Sequence, residues 1–94
     1  MWQVLEHRRV DRQLAKAPRE VLKRYEKWKD IAGLSGPPGL RLITGFHDEA
    51  LAGEWRGFRS CRLGERWRVI YRLASEALTY YVESISHMTT GGSE

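Results

Sequence analysis

The stretch RSCRLGERWRVIY, residues 59–71, carries four arginines in thirteen residues, interleaved with apolar positions. Arginine offers a planar fork of donors that grips phosphate oxygens two at a time, and it stays charged at any physiological pH. A strand that only builds a core needs no such density of cations, so the stretch points to a surface that holds a polyanion. Three histidines (His7, His47 and His87) and a single cysteine (Cys61) complete the reactive set. They have none of the spacings of a zinc site, so no metal is expected. Arginine neighbours would lower the pKa of Cys61, but no acyl-transfer site accompanies it, and it is not expected to act as a nucleophile. His7 reads as a surface residue.

Ninety-four residues allow one compact core. A hydrophobic share of 41% beside 30% charged residues is ordinary for a globular chain, and four Trp, four Tyr and two Phe supply large buried areas. No apolar run reaches the roughly 20 residues of a membrane span. The opening MWQVLEHRRV lacks the apolar stretch of a signal peptide. With one cysteine there is no internal disulfide framework, which fits a reducing cytoplasm, and no membrane association is expected. The net charge of +4 favours a nucleic acid or an acidic protein as partner.

The elements that must position these residues follow from periodicity. Residues 1–6 alternate as a short strand; Val10 and Leu14 are spaced as on a short amphipathic helix that Pro18 ends. Val21, Tyr25, Trp28 and Ala32 recur at four, three and four, giving a second helix with Gly33 as its C-cap. The segment GLSGPPGLRLITG reads as a loop, and FHDEALAGEW as holding one helical turn. Three strands follow, over about 55–63, 66–73 and 77–86, turning at Gly64-Glu65 and Ser75-Glu76. Residues 1–88 are expected to form the single domain and 89–94 a frayed tail.

With even-numbered hairpin loops, Phe58 opposes Tyr71, Ser60 opposes Val69 and Arg62 opposes Trp67, while Tyr80 and Val82 lie beside Tyr71 and Val69. That makes an apolar face for the helices. The other face then collects Arg59, Cys61, Arg66, Arg68, Ile70 and Arg72 with Tyr81, Glu83, Ile85 and His87. Glu83 would oppose Arg68 as a cross-strand ion pair. Three arginines remain without an acid, beside a tyrosine and an isoleucine that are costly to leave in water.

The order of strand, two helices, loop and three-stranded meander resembles the RelE/ParE superfamily of toxins from toxin–antitoxin systems. HDEALAGEWRGFRSCRLGERWRVIYRL, His47 to Leu73, is similar to the core signature of its RelE/YafQ-like branch. The "L-x-G-x-W-x-G-x-R" segment is Leu51, Gly53, Trp55, Gly57 and Arg59, and the following strand ends "R-x-x-Y" with Arg68 and Tyr71. The resemblance implies an α+β RelE-like β-α-α-β-β-β fold, with an antiparallel sheet core and two N-terminal helices on one face. It also implies metal-independent cleavage of mRNA in the A site of the 70S ribosome, a cytoplasmic location, no cofactor, and neutralisation by a cognate antitoxin.

Under that resemblance Arg59 matches a basic position on the second strand, Arg68 matches the arginine that contacts the scissile phosphate, and His47 and His87 match histidines of the YafQ-like branch. Arg62 and Arg66 stand where that branch has a histidine and an aspartate. Cys61 occupies a position that is lysine in RelE, and HMTTGGSE offers no aromatic residue after the last strand. Metal-free RNA cleavage requires activation of the 2′-hydroxyl, stabilisation of the pentavalent phosphate and protonation of the 5′-oxygen. The expectation is that Arg59 and Arg68 hold the phosphate, that His87 and His47 transfer protons, and that Arg62, Arg66, Arg72 and Tyr81 bind RNA. Two alternatives are a ParE-like gyrase inhibitor without catalysis, which needs no proton-transfer pair, and an inactive antitoxin-binding remnant.

Overall fold

In the computed structural model, residues 1–87 are described, and the tail expected over 89–94 lies outside them. In chain order the elements are β1 (Gln3–Glu6), α1 (Arg9–Leu14), α2 (Arg19–Leu42), β2 (Glu49–Ala50), β3 (Arg59–Arg62), β4 (Trp67–Ala74) and β5 (Thr79–His87). They form an α+β fold around a five-stranded sheet ordered β1-β5-β4-β3-β2. The meander β2-β3-β4-β5 is antiparallel, whereas β1 joins the edge parallel to β5, which makes the sheet mixed. No described helix is long and apolar enough to cross a membrane.

The stripe at Val21, Tyr25, Trp28 and Ala32 is buried as its spacing requires. Trp28 is its hub: its ring stacks on Tyr25 at 5.9 Å and meets Tyr71 at 5.2 Å and Tyr80 at 5.5 Å. α2 does not end at Gly33. It runs to Leu42 through a kink at Gly36, which adopts φ 68°, and the buried stripe continues through Gly36 to Leu40. Pro37 and Pro38 lie in the segment expected as a loop, but proline is well suited to a helix's first turn, where its missing N–H is not needed. They open the second helical segment. A Cβ at Gly36 would lie 2.5 Å from Trp2 Nε1, so the kink packs directly on the N-terminal strand region. The helical turn expected in FHDEALAGEW appears as a 3-10 turn at Gly53–Trp55, with another at Thr44–Phe46.

Two registers differ from expectation, and both reverse side-chain faces. Arg62 opposes Arg68, Cys61 opposes Val69 and Arg59 opposes Tyr71. The Leu63 N–H bonds to Trp67 O at 2.8 Å, leaving a three-residue loop, Gly64 to Arg66, rather than a two-residue one. The one-residue slip turns Arg59 and Cys61 toward the helices and Ser60 and Arg62 to the opposite face. The second reversal is a bulge in β5. Ile70 opposes Ser84 while Tyr71 opposes Val82, so Glu83 is the extra residue. Beyond it Ile85 and His87 turn to the helix side, opposite Val69 and Trp67, instead of joining the basic face. Gln13 of α1 covers this β5 edge: its Oε1 accepts the Ile85 N–H at 2.7 Å and its Nε2 donates to Ser84 Oγ at 3.0 Å.

Candidate nucleic-acid interface

The face away from the helices is built in rows across the strands. At one end lie Arg62, Arg68 and Ser86; next come Glu49, Ser60, Ile70 and Ser84; then Arg72, Tyr81 and Leu5. Ser60, Ile70 and Ser84 are buried, so the middle row is a low floor between two rows of long side chains. A rise of about 3.3 Å per residue sets Arg68 and Arg72 about 13 Å apart along β4.

Arg62 directly opposes Arg68, and like charges facing across a ladder destabilise it. The acid expected beside Arg68 does not arrive, because Glu83 sits in the bulge and pairs with Arg9 at 3.5 Å. Arg68 Nε is buried and has no hydrogen-bond partner among the described residues. A buried donor of a charged group left unsatisfied costs about 1–3 kcal/mol or more. Arg72 lies over the Tyr81 ring at 4.2 Å, a cation–π pair that leaves a flat surface at the edge of the floor. This arrangement can bind phosphates in one row and stack a base in another.

Arg59 has a different position. It grips Asp48 with both arms, Nε to Oδ1 at 3.3 Å and Nη2 to Oδ2 at 3.1 Å. The Asp48 side chain is only 3% exposed. It also accepts from the Tyr71 hydroxyl and from Cys61 Sγ, at 3.5 Å for the thiol, and Arg41 Nε stands 4.0 Å away. The hydrogen bond to Asp48 raises the pKa of Arg59, and burial raises that of Tyr71. Burial, reinforced by the charge of Asp48, pushes the Cys61 thiol up to about 12, so it is a neutral core residue. Asp48 is the residue that sequence reasoning missed. Its partners come from β3 and β4, 11 to 23 positions along the chain, and no local periodicity marks such a set.

The histidines are dispersed. His47 has a left-handed backbone, φ 51°, and an exposed ring 3.6 Å from Glu49 Oε1. His7 accepts the Arg9 backbone N–H at 3.1 Å, a local contact at the start of α1. His87 leans on Trp67 with ring centres 5.1 Å apart. It lines a cleft of about 430 Å³ between the N-terminal end of α2 and the β3–β4 turn, where Arg66 also lies. Of the expected site residues, Arg62, Arg68, Arg72 and Tyr81 share the open face; Arg66 and His87 border the cleft at one end of the sheet; Arg59 and His47 lie elsewhere.

No family model matches the chain, and no curated protein matches it in sequence. Solved structures do match. A chain of the archaeal RelE–RelB complex from Pyrococcus horikoshii OT3 superposes with a TM-score of 0.74 at 22% identity, covering 96% of this chain and 98% of that one. YafQ from E. coli strain BL21(DE3) gives 0.73 at 16% identity, with 93% of each chain covered. A chain of the RelBE2 toxin–antitoxin complex from Mycobacterium tuberculosis gives 0.66 at 21% identity, covering 92% of this chain and 96% of that one. The likeness spans nearly the whole of each chain, and its content is architectural: this protein has the RelE-like fold.

Proposed function

We propose that this protein is the toxin of a toxin–antitoxin pair and cleaves mRNA, in the ribosomal A site, without a metal. The observation that carries the reading is the Arg62–Arg68 pair: two cations face each other on an open sheet, one with a buried donor that no described residue satisfies. A phosphate between them offsets the repulsion and accepts from their guanidinium N–H groups. Arg62 takes the phosphate-clamping role that the sequence assigned to Arg59. Arg72 holds a neighbouring phosphate, and the Tyr81 ring stacks a base.

In the reaction, the 2′-oxygen loses its proton and attacks phosphorus, the guanidinium groups stabilise the pentavalent phosphate, and the 5′-oxygen leaves with a proton. Preorganised donors of this kind contribute about 3–4 kcal/mol each. His87 ends β5 on the helix side of the sheet, at the end where the Arg62–Arg68 row lies, and in this proposal it transfers the proton around the end of the strands. His47, beside Glu49, orients the substrate strand. The antitoxin lays an acidic segment over the basic face.

The decisive experiment is inducible expression without antitoxin, with growth and transcript 5′ ends recorded for wild type and Arg68→Ala. New 5′ ends with wild type, reduced about 100–1,000-fold in the variant, are expected. Growth arrest with no new ends eliminates the nuclease reading, and arrest with DNA damage that tracks gyrase replaces it with a ParE-like activity.

A further inference from the structure

The cleft beside His87 has a composition unlike the basic face. Its floor is apolar, formed by Val21 and Leu63, which are 4% and 1% exposed. Trp67 lines it as a flat, half-buried ring with His87 leaning against it. Two glutamates border it, Glu20 from the first turn of α2 and Glu65 from the β3–β4 turn, beside Arg66. A ligand that fits is flat, apolar on its faces and rich in N–H donors along one edge. We infer that the cleft is a base-specificity pocket that takes an unpaired guanine of the RNA, with Glu20 and Glu65 as the discriminating residues.

Guanine is selected by its edge. A carboxylate accepts only, through two oxygens side by side. Guanine sets N1–H and N2–H₂ next to each other and satisfies both oxygens together, whereas adenine and cytosine present one amino group and uracil one ring N–H. Unpaired bases are held in this way, with their faces on aromatic rings and their Watson–Crick edges on side chains. The volume of about 430 Å³ admits a purine. The turn that carries Glu65 begins at Gly64, just past Arg62 and Leu63, and a smaller hollow lined by Arg62, Leu63, Glu20 and Glu65 adjoins the cleft. A guanine here therefore lies at the same end of the sheet as the row proposed to hold the phosphate, around the edge on the helix side, and in that respect the inference rests on the nuclease reading.

The test measures binding separately from cleavage. Titrate the full chain with GMP, IMP and AMP, following tryptophan fluorescence, with Trp67→Phe to identify the reporting ring. IMP keeps N1–H and O6 but lacks the N2 amine. The expected result is that GMP binds about tenfold tighter than IMP or AMP, and that Glu20→Gln or Glu65→Gln removes the preference, since each lost hydrogen bond to a charged group is worth about that factor. Both glutamates are exposed, so these variants keep the fold. Equal binding of the three nucleotides, or a preference that survives both substitutions, overturns the inference. Guanine-selective binding by a chain that cuts no RNA leaves the pocket standing and removes the nuclease. Cleavage at sites unchanged by both substitutions, with no GMP preference, does the reverse.

Discussion

Arg68 and Arg59 have the same side chain and opposite energetic roles. Arg68 faces another cation and buries an unsatisfied donor, so its removal relieves strain in the free protein. Arg68→Ala is expected to keep or raise the melting temperature while cleavage collapses, and a thermal melt beside the cleavage assay checks both. Arg59 neutralises a buried carboxylate. Arg59→Ala strands Asp48 and costs about 3 kcal/mol, and a denaturant titration measures it. Replacing the pair together, Asp48→Leu with Arg59→Met, should recover most of that loss, which a simple loss of packing would not allow. Cys61 supplies a pH signature. Its thiol holds its proton more tightly folded, with a pKa of about 12 against an ordinary 9.0, so its contribution is complete below pH 9 and is lost as the pH rises toward 12. Buried Tyr25, Tyr71 and Tyr80 shift in the same direction. Unfolding titrations across that window should therefore show a shallower decline in Cys61→Ala than in wild type. The arginine excess was legible from residue types alone. Asp48 was not, because a buried carboxylate is recognised by its partners, and these are brought together only by folding.

At the scale of elements, the strands and the apolar stripe of α2 could be read from spacing, because periods of 2 and 3.6 are properties of the chain itself. Faces beyond the turns could not. A three-residue loop instead of two reverses the strand before it, one extra residue at Glu83 reverses the strand beyond it, and the sequence carries no marker of loop parity strong enough to distinguish them. Arg62 and Arg59 exchanged faces for the first reason, Ile85 and His87 for the second. The path through Pro37 and Pro38 was misread because proline stops one helix and starts another equally well. Gly36 makes that joint possible. Gly36→Ala places a Cβ at a positive φ and against the Trp2 indole, and should cost about 1–3 kcal/mol. Because two causes act, the same substitution in a Trp2→Ala background should cost less but more than zero, a double-mutant cycle that separates backbone strain from collision.

Across the whole molecule, the helices cover one side of the sheet, and Arg62, Arg68 and Arg72 occupy the other, where a single strand of RNA can lie. Two phosphates, one between Arg62 and Arg68 and one on Arg72, release counterions as they bind. The logarithm of affinity for a short single-stranded oligonucleotide should fall against the logarithm of salt with a slope of about −1.4, and Arg72→Ala should reduce the magnitude by about 0.7. Arg59→Ala, assayed where it remains folded, should leave the slope unchanged. This measurement distinguishes arginines that touch the ligand from arginines that hold the protein together.

The parallel pairing of β1 with β5 also governs timing. Residues 3–6 find their sheet neighbours at residues 79–82, and the strand carrying Tyr81, Ser84 and Ser86 is the last of the described chain to be made. Pairings so distant in sequence form late, since the intervening chain must first exist and then be closed into a loop. A nascent chain on the ribosome therefore lacks the β5 part of the basic face, Tyr81, Ser84 and Ser86, until its last described strand is made. On the proposed reading, the RNA-binding face is whole only once residues 79–87 have been made and paired.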